Sequence, residues 1–164
     1  MKSRKIILAS LIMVMLLSCS SVTNLTASSS IPTPDIGIDF QGEEYLKIIA
    51  PVGWNSFKAN DLISLEIRNI SDNQITSGPD FGIRVFIRLD KKWVEVKNNA
   101  IYQNYPYTLE PGKGYESSAA TMVMPDLPDY STAYDVRIIV VGNLVENGKD
   151  TKKVASFIDL KLTP

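Results

Sequence analysis

Three kinds of residue in this chain could do chemistry: neighbouring carboxylates, a lone cysteine and a group of tyrosines. Paired carboxylates hydrolyse glycosides when one protonates the leaving group and the other attacks or activates water. The pairs available are Glu43-Glu44, Asp126 with Asp129, and Glu110 with Glu116. Each lies in or beside a stretch expected to be loop, where acidic side chains serve solvation, so none is assigned as catalytic. The chain has no histidine, which removes the Ser-His-Asp and Cys-His arrangements and the usual base near neutral pH. Zinc, copper and non-haem iron sites draw on His or Cys, and Cys19 is the only cysteine. Calcium needs oxygen ligands on loops, yet no Asp-x-Asp-x-Asp-Gly spacing occurs. The nine glycines are scattered and form no phosphate-cradling loop. The expectation is a protein without catalytic residues, metal or cofactor.

Tyrosines offer a different chemistry. Tyr102, Tyr105 and Tyr107 share one loop-like stretch, with Tyr115 and Tyr130 in neighbouring segments. Grouped at one end of a fold they could stack on sugar rings or anchor a protein partner, through rigid area with a polar tip. The competing and favoured role is to close the open end of a core. Trp54 and Trp93 read as semi-buried packing residues. Phe86 is out of place, because its strand neighbours on the same face are charged.

Charge excludes one partner class. The chain has 17 basic and 18 acidic residues, and three of the basic ones, Lys2, Arg4 and Lys5, precede Cys19. The remainder is mildly acidic at −4, without the clustered basic footprint of nucleic-acid binding.

Those three basic residues open a leader. Ile6 to Leu17 is an uncharged run, apolar except for Ser10, and small residues then surround Cys19. Such a run suits a secretory signal, whereas spanning a bilayer takes about 20 apolar residues. Leu16-Leu17-Ser18-Cys19 resembles the lipobox of bacterial lipoproteins, with Leu three positions before the cysteine and a small residue directly before it. The resemblance implies a diacylglycerol on the Cys19 thiol, cleavage before Cys19, and acylation (palmitate, for example) of the freed amine. Two or more acyl chains hold stably where one holds only marginally, at about 0.8 kcal/mol per buried methylene. The expected location is the cell membrane or outer membrane, lipid-anchored, with the domain outward or periplasmic.

The elements that would position these residues come next. The expected organisation is a cleaved signal over 1–18, a lipid-anchored tether over 19–37 and one folded domain over 38–164. Ser20 to Pro34 is rich in Ser and Thr and cannot bury enough apolar surface to offset its ordering entropy, although Ile36-Gly37-Ile38 could form an irregular first strand. Beyond it, period-two runs between turn residues predict strands at 46–50, 63–68, 83–89, 93–96, 116–124, 134–140 and 154–162. Asp90-Lys91-Lys92 predicts a hairpin connection, Asn147-Gly148 a tight turn, and 98–115 a loop. No helical periodicity occurs outside the leader. About seven alternating strands favour an all-β, antiparallel two-sheet sandwich, with a closed barrel as the runner-up.

Ser64-Leu65-Glu66-Ile67-Arg68-Asn69-Ile70-Ser71, Lys92-Trp93-Val94-Glu95-Val96, Leu109-Glu110-Pro111-Gly112 and Tyr134-Asp135-Val136-Arg137-Ile138 together resemble bacterial immunoglobulin-like domains. That resemblance spans roughly 40–162 and implies an immunoglobulin-like sandwich, here without the paired core cysteines of antibody domains. A fold of this kind brings no activity with it. The functional expectation is a non-catalytic, lipid-anchored envelope protein that meets a protein partner. A carbohydrate-binding module and an inhibitor of a secreted protease are the alternatives.

Overall fold

The computed structural model describes residues 34–38, 44–53, 56–112 and 114–164, with Tyr115 described through its backbone alone. The leader, Cys19, the tether as far as Thr33, Glu43 and Trp54 lie outside the described residues.

Ten strands form: β1 (Leu46–Ile49), β2 (Ser56–Lys58), β3 (Ile63–Asn69), β4 (Gln74–Ser77), β5 (Arg84–Leu89), β6 (Lys92–Val96), β7 (Tyr107–Leu109), β8 (Ser118–Val123), β9 (Tyr134–Glu146) and β10 (Lys149–Thr163). They divide into two sheets. The smaller has the order β1-β3-β8. In the larger, β2-β10-β9 is followed by β4 and β5, which both lie along the far side of β9, with β7 beside β4 and β6 beside β5. Every ladder is antiparallel except that of β2 with β10. Consecutive strands β1 and β2 thus join different sheets. Among the described residues an isolated bridge, Asn98–Pro125, and no ladder joins the two sheets, which is the arrangement of a sandwich and not of a closed barrel.

Alternation makes the core. Ile63, Leu65 and Ile67 point inward from β3 while Ser64, Glu66 and Arg68 point out. They meet Val85 and Ile87 of β5, Val136, Ile138 and Val140 of β9, and Leu160 and Leu162 of β10 in one continuous buried cluster. β9 and β10 are the longest strands, paired along almost their whole length from Leu162–Tyr134 to Lys149–Glu146. Their hairpin turns at Asn147 and Gly148, both at positive φ (52° and 73°), as a two-residue turn of matching twist requires. The β5–β6 turn uses Asp90 and Lys91 at φ 46° and 66°, so Lys92 belongs to β6 and not to the connection.

Three short strands depart from the expected seven. β2, β4 and β7 have three or four residues each, too few for alternation to show in sequence. The expected 98–115 loop is therefore interrupted by β7, and β8 starts at Ser118 because Tyr115–Ser117 form a 3-10 turn. In that turn the Ser117 amide and hydroxyl both donate to the Gly114 carbonyl, at 3.2 and 2.6 Å.

Asn69, fully buried, ties these pieces together. Its amide donates to the carbonyls of Asn73 (2.7 Å) and Leu109 (3.0 Å), while its oxygen accepts from the Ser71 amide and hydroxyl. One side chain thereby shapes the β3–β4 turn and holds β7. Between β4 and β5 the chain makes an excursion over 78–83 against Val141. Ser77 Oγ donates to the Val141 carbonyl at 3.0 Å, and the Val141 amide donates to the Phe81 carbonyl at 3.2 Å. Gly82, at φ +56°, passes so close that a Cβ would stand 2.8 Å from the Val141 oxygen.

The outer face of the larger sheet is not purely polar. Phe86, Ile139 and Ala155 form a second buried cluster there, packed by Trp93, Val141, Phe157 and the incoming Ile36 and Ile38. Phe86 is therefore in place. Arg137, 2% exposed, lies between the rings of Trp93 (4.6 Å) and Phe157 (4.1 Å) and forms a two-pronged ion pair with Asp159, both contacts 2.7 Å.

Candidate functional site

The tyrosine-bearing segment runs from the end of β6 to β7 and bridges the two sheets. Asn98 anchors its first part. Its side-chain oxygen accepts from the amides of Ala100 (3.2 Å) and Met124 (2.9 Å), and its amide donates to the Tyr102 hydroxyl. Backbone bonds from Asn99 to Met124 and from Asp126 to Lys97 complete the attachment, at 2.8 Å each. Tyr102 faces inward and its hydroxyl donates to the Met122 carbonyl at 2.6 Å. Burial pushes its pKa above the usual phenol value, opposed by the Asn98 hydrogen bond. Tyr102 is thus a pin between the loop and β8, the closing role favoured for the tyrosines.

The other end is anchored by β7. Tyr107 lies opposite Ser77 in the β4–β7 ladder, and its ring stacks on buried Phe81 at 3.9 Å between centroids and 25° between planes. Tyr105 leans on Tyr107 at 5.5 Å and 46°. Phe81, Tyr107 and Tyr105 form an aromatic stair from the core to solvent, where Tyr105 is 50% exposed. Ile101, on the same loop, is 91% exposed. A loop fixed at Asn98 and at β7 therefore presents Ile101, Tyr105, Pro106 and one side of Tyr107 outward. Side chains presented from a loop anchored at both ends lose less freedom on docking than those of an unanchored one.

The structure brings Tyr105 and Tyr107 together and ties Tyr102 to Asn98 and the Met122 carbonyl instead. Tyr130 is placed elsewhere, in the connection that feeds Tyr134 at the start of β9. Ladder register sets Tyr107 level with Gly142, about 26 Å along that strand from Tyr134. The backbone of Tyr115 opens the 3-10 turn before β8. Phe81 was missed by sequence reasoning: it follows Pro79-Asp80 and precedes Gly82, a turn-like setting with no periodicity.

The carboxylate candidates have other partners. Glu110 accepts from the Gln74 amide at 2.7 Å. Asp129 organises its own turn, accepting from the Ser131 amide and hydroxyl and the Thr132 hydroxyl, and these bonds hold its pKa below the usual range. Asp126 and Glu116 are exposed, as is Glu44. Among the described residues no three metal-ligating side chains converge. An open cavity of about 380 Å³ at one sheet end mixes Arg88, Lys91 and Lys161 with Asp90 and Asp135, so its charges largely cancel. Also among the described residues, no helix is long and apolar enough to cross a membrane.

Comparison with models of known protein families, with curated proteins and with solved structures finds no match to the chain.

Proposed function

We propose that the protein is a non-catalytic lipoprotein of the cell envelope whose sandwich domain binds a protein partner through the ledge of Ile101, Tyr105 and Tyr107. The observation behind this reading is the exposure of Ile101 at 91% and Tyr105 at 50% on a loop that is otherwise pinned to both sheets. Large apolar side chains held rigidly in solvent are what interface hot spots are built from. The lipobox-like Leu16-Leu17-Ser18-Cys19 supplies the anchor in this proposal. An immunoglobulin-like identity for the sandwich is part of the same reading. Its support is the division of β1 and β2 between the sheets, with β2 running parallel to the last strand.

The test places a photo-crosslinker at Tyr105 in cells of the source organism. One dominant crosslinked protein, lost on Ile101→Asp, supports the reading, and no discrete product refutes it. The aromatic pair Tyr105–Tyr107 also suits the face of a sugar ring, which is the second reading. Retention on polysaccharide that disappears with Tyr105→Ala would favour glycan binding instead. The anchor is tested separately by Cys19→Ala, which should move the protein from the membrane fraction to the soluble one.

A further inference from the structure

The sheet edges of this domain differ in how they are protected. Exposed edges invite pairing with another chain, and proteins blunt them with charge, proline or short length. β1 carries Lys47 and is followed by Pro51, β6 carries Lys92 and Glu95, and β2 and β7 have three residues each. β8 is different. It is six residues long, Ser118-Ala119-Ala120-Thr121-Met122-Val123, with no charge, proline or bulge, and it pairs with β3 on one side. Among the described residues no strand pairs with its other side.

The loop described above shows which backbone groups look outward. Tyr102 reaches the Met122 carbonyl, and Asn98 and Asn99 reach the amide and carbonyl of Met124. Backbone direction alternates along an antiparallel strand, so Ala120 and Ser118 face the same way as Met122 and Met124. The loop occupies the Met124 end and one lone pair of the Met122 carbonyl, and leaves the outward groups of Ser118 and Ala120 and the Met122 amide open.

We propose that β8 is a self-association edge, at which two copies pair β8 with β8 antiparallel about a two-fold axis through Ala120. A continuous six-stranded sheet, β1-β3-β8-β8-β3-β1, results. The strand is its own complement in this register. Ala120 meets Ala120 of the second copy, and Ser118 meets Met122, a small side chain against one that is 45% exposed. Neighbouring charges do not conflict. Glu66, beside Ala120 in the β3–β8 ladder, is paired with Arg68 at 2.6 Å and lies about 14 Å from its counterpart across the axis, beyond the screening length. Closed two-fold pairing of this sort satisfies an edge without leading to fibres.

The test exploits the axis. Cβ atoms directly opposite in such a pair stand about 5 Å apart, so identical charges at Ala120 repel and opposite ones attract. The full chain in detergent is expected to sediment as a dimer. Ala120→Lys and Ala120→Glu should each weaken self-association at least tenfold, and an equimolar mixture should restore a heterodimer. That rescue also shows both variants to be folded, since the Ala120 side chain is exposed. A wild-type chain that is monomeric at high micromolar concentration overturns the proposal. So does dimerisation unaffected by either charge, or capture of extended peptides without self-association.

Discussion

Breaking the Arg137–Asp159 pair from its two sides should give unequal results. Arg137 is 2% exposed and clasped by two rings, whereas the Asp159 side chain is 32% exposed. Asp159→Ala removes both carboxylate contacts of a buried guanidinium. Removing one partner of a buried pair costs roughly 3–5 kcal/mol, and partial solvent access at Asp159 lowers this to about 2–3 kcal/mol. Arg137→Met removes the charge and keeps the packing of the stem between Trp93 and Phe157. Replacing a buried ion by an apolar residue of similar volume is often neutral, and the lost ring contacts offset any gain, so this variant should lie within about 1 kcal/mol of wild type. Asp159 left behind can hydrate. The double variant should resemble Arg137→Met, which gives a coupling near 2 kcal/mol in the cycle. Urea unfolding followed by tryptophan fluorescence reads each midpoint, and thermal unfolding should show Asp159→Ala lower by roughly 10 °C. If Arg137→Met proves as damaging as Asp159→Ala, the ion pair is itself a net source of stability and the desolvation argument fails.

The β5–β6 turn holds Lys91 at φ 66°, so Lys91→Gly should stabilise the fold by about 1 kcal/mol, measured by its denaturation midpoint. Gly82→Ala should destabilise it by about 2 kcal/mol or more, since both its positive φ and the 2.8 Å approach to the Val141 oxygen forbid a Cβ. Tyr102→Phe, which leaves the Met122 carbonyl without its hydroxyl donor, should cost about 1 kcal/mol and speed amide exchange over 97–103. The hydrogen bond from Arg84 holds Glu95 below the usual carboxylate range, with burial opposing. Its contribution is therefore present above that range and lost as pH falls through the depressed folded value, so Glu95→Gln should flatten the acid limb of a stability profile below about pH 5.

Long alternating strands were legible in the sequence because each inward residue repeats at period two, as Ile63-Leu65-Ile67 and Val136-Ile138-Val140 show. Asn147-Gly148 announced its turn by residue type, and the structure places both residues at positive φ. The pieces that escaped are short and are held by ladders to strands distant in sequence. β7 pairs with β4 and receives the Asn69 amide on its Leu109 carbonyl from forty positions away, and β4 forms because β9 is long enough to reach it. Phe86 looked misplaced because a second apolar layer on an outer face has no signature within one strand. Part of the candidate ledge was visible as a density of tyrosines, yet only packing separates Tyr102, which faces inward, from Tyr105, which does not.

Under the proposed lipid anchor at Cys19, the contact of Ile36 and Ile38 with Phe86, Ile139 and Ala155 has a mechanical meaning. A pull along the backbone meets these two isoleucines before it meets β1. They would yield first, as a fuse, and the strain would be spent on peeling a short apolar strip instead of opening the main core. What the pull would lay bare is the ring-clasped face around Trp93 and Phe157, so under that proposal tension on the anchor and access to that face would be the same event.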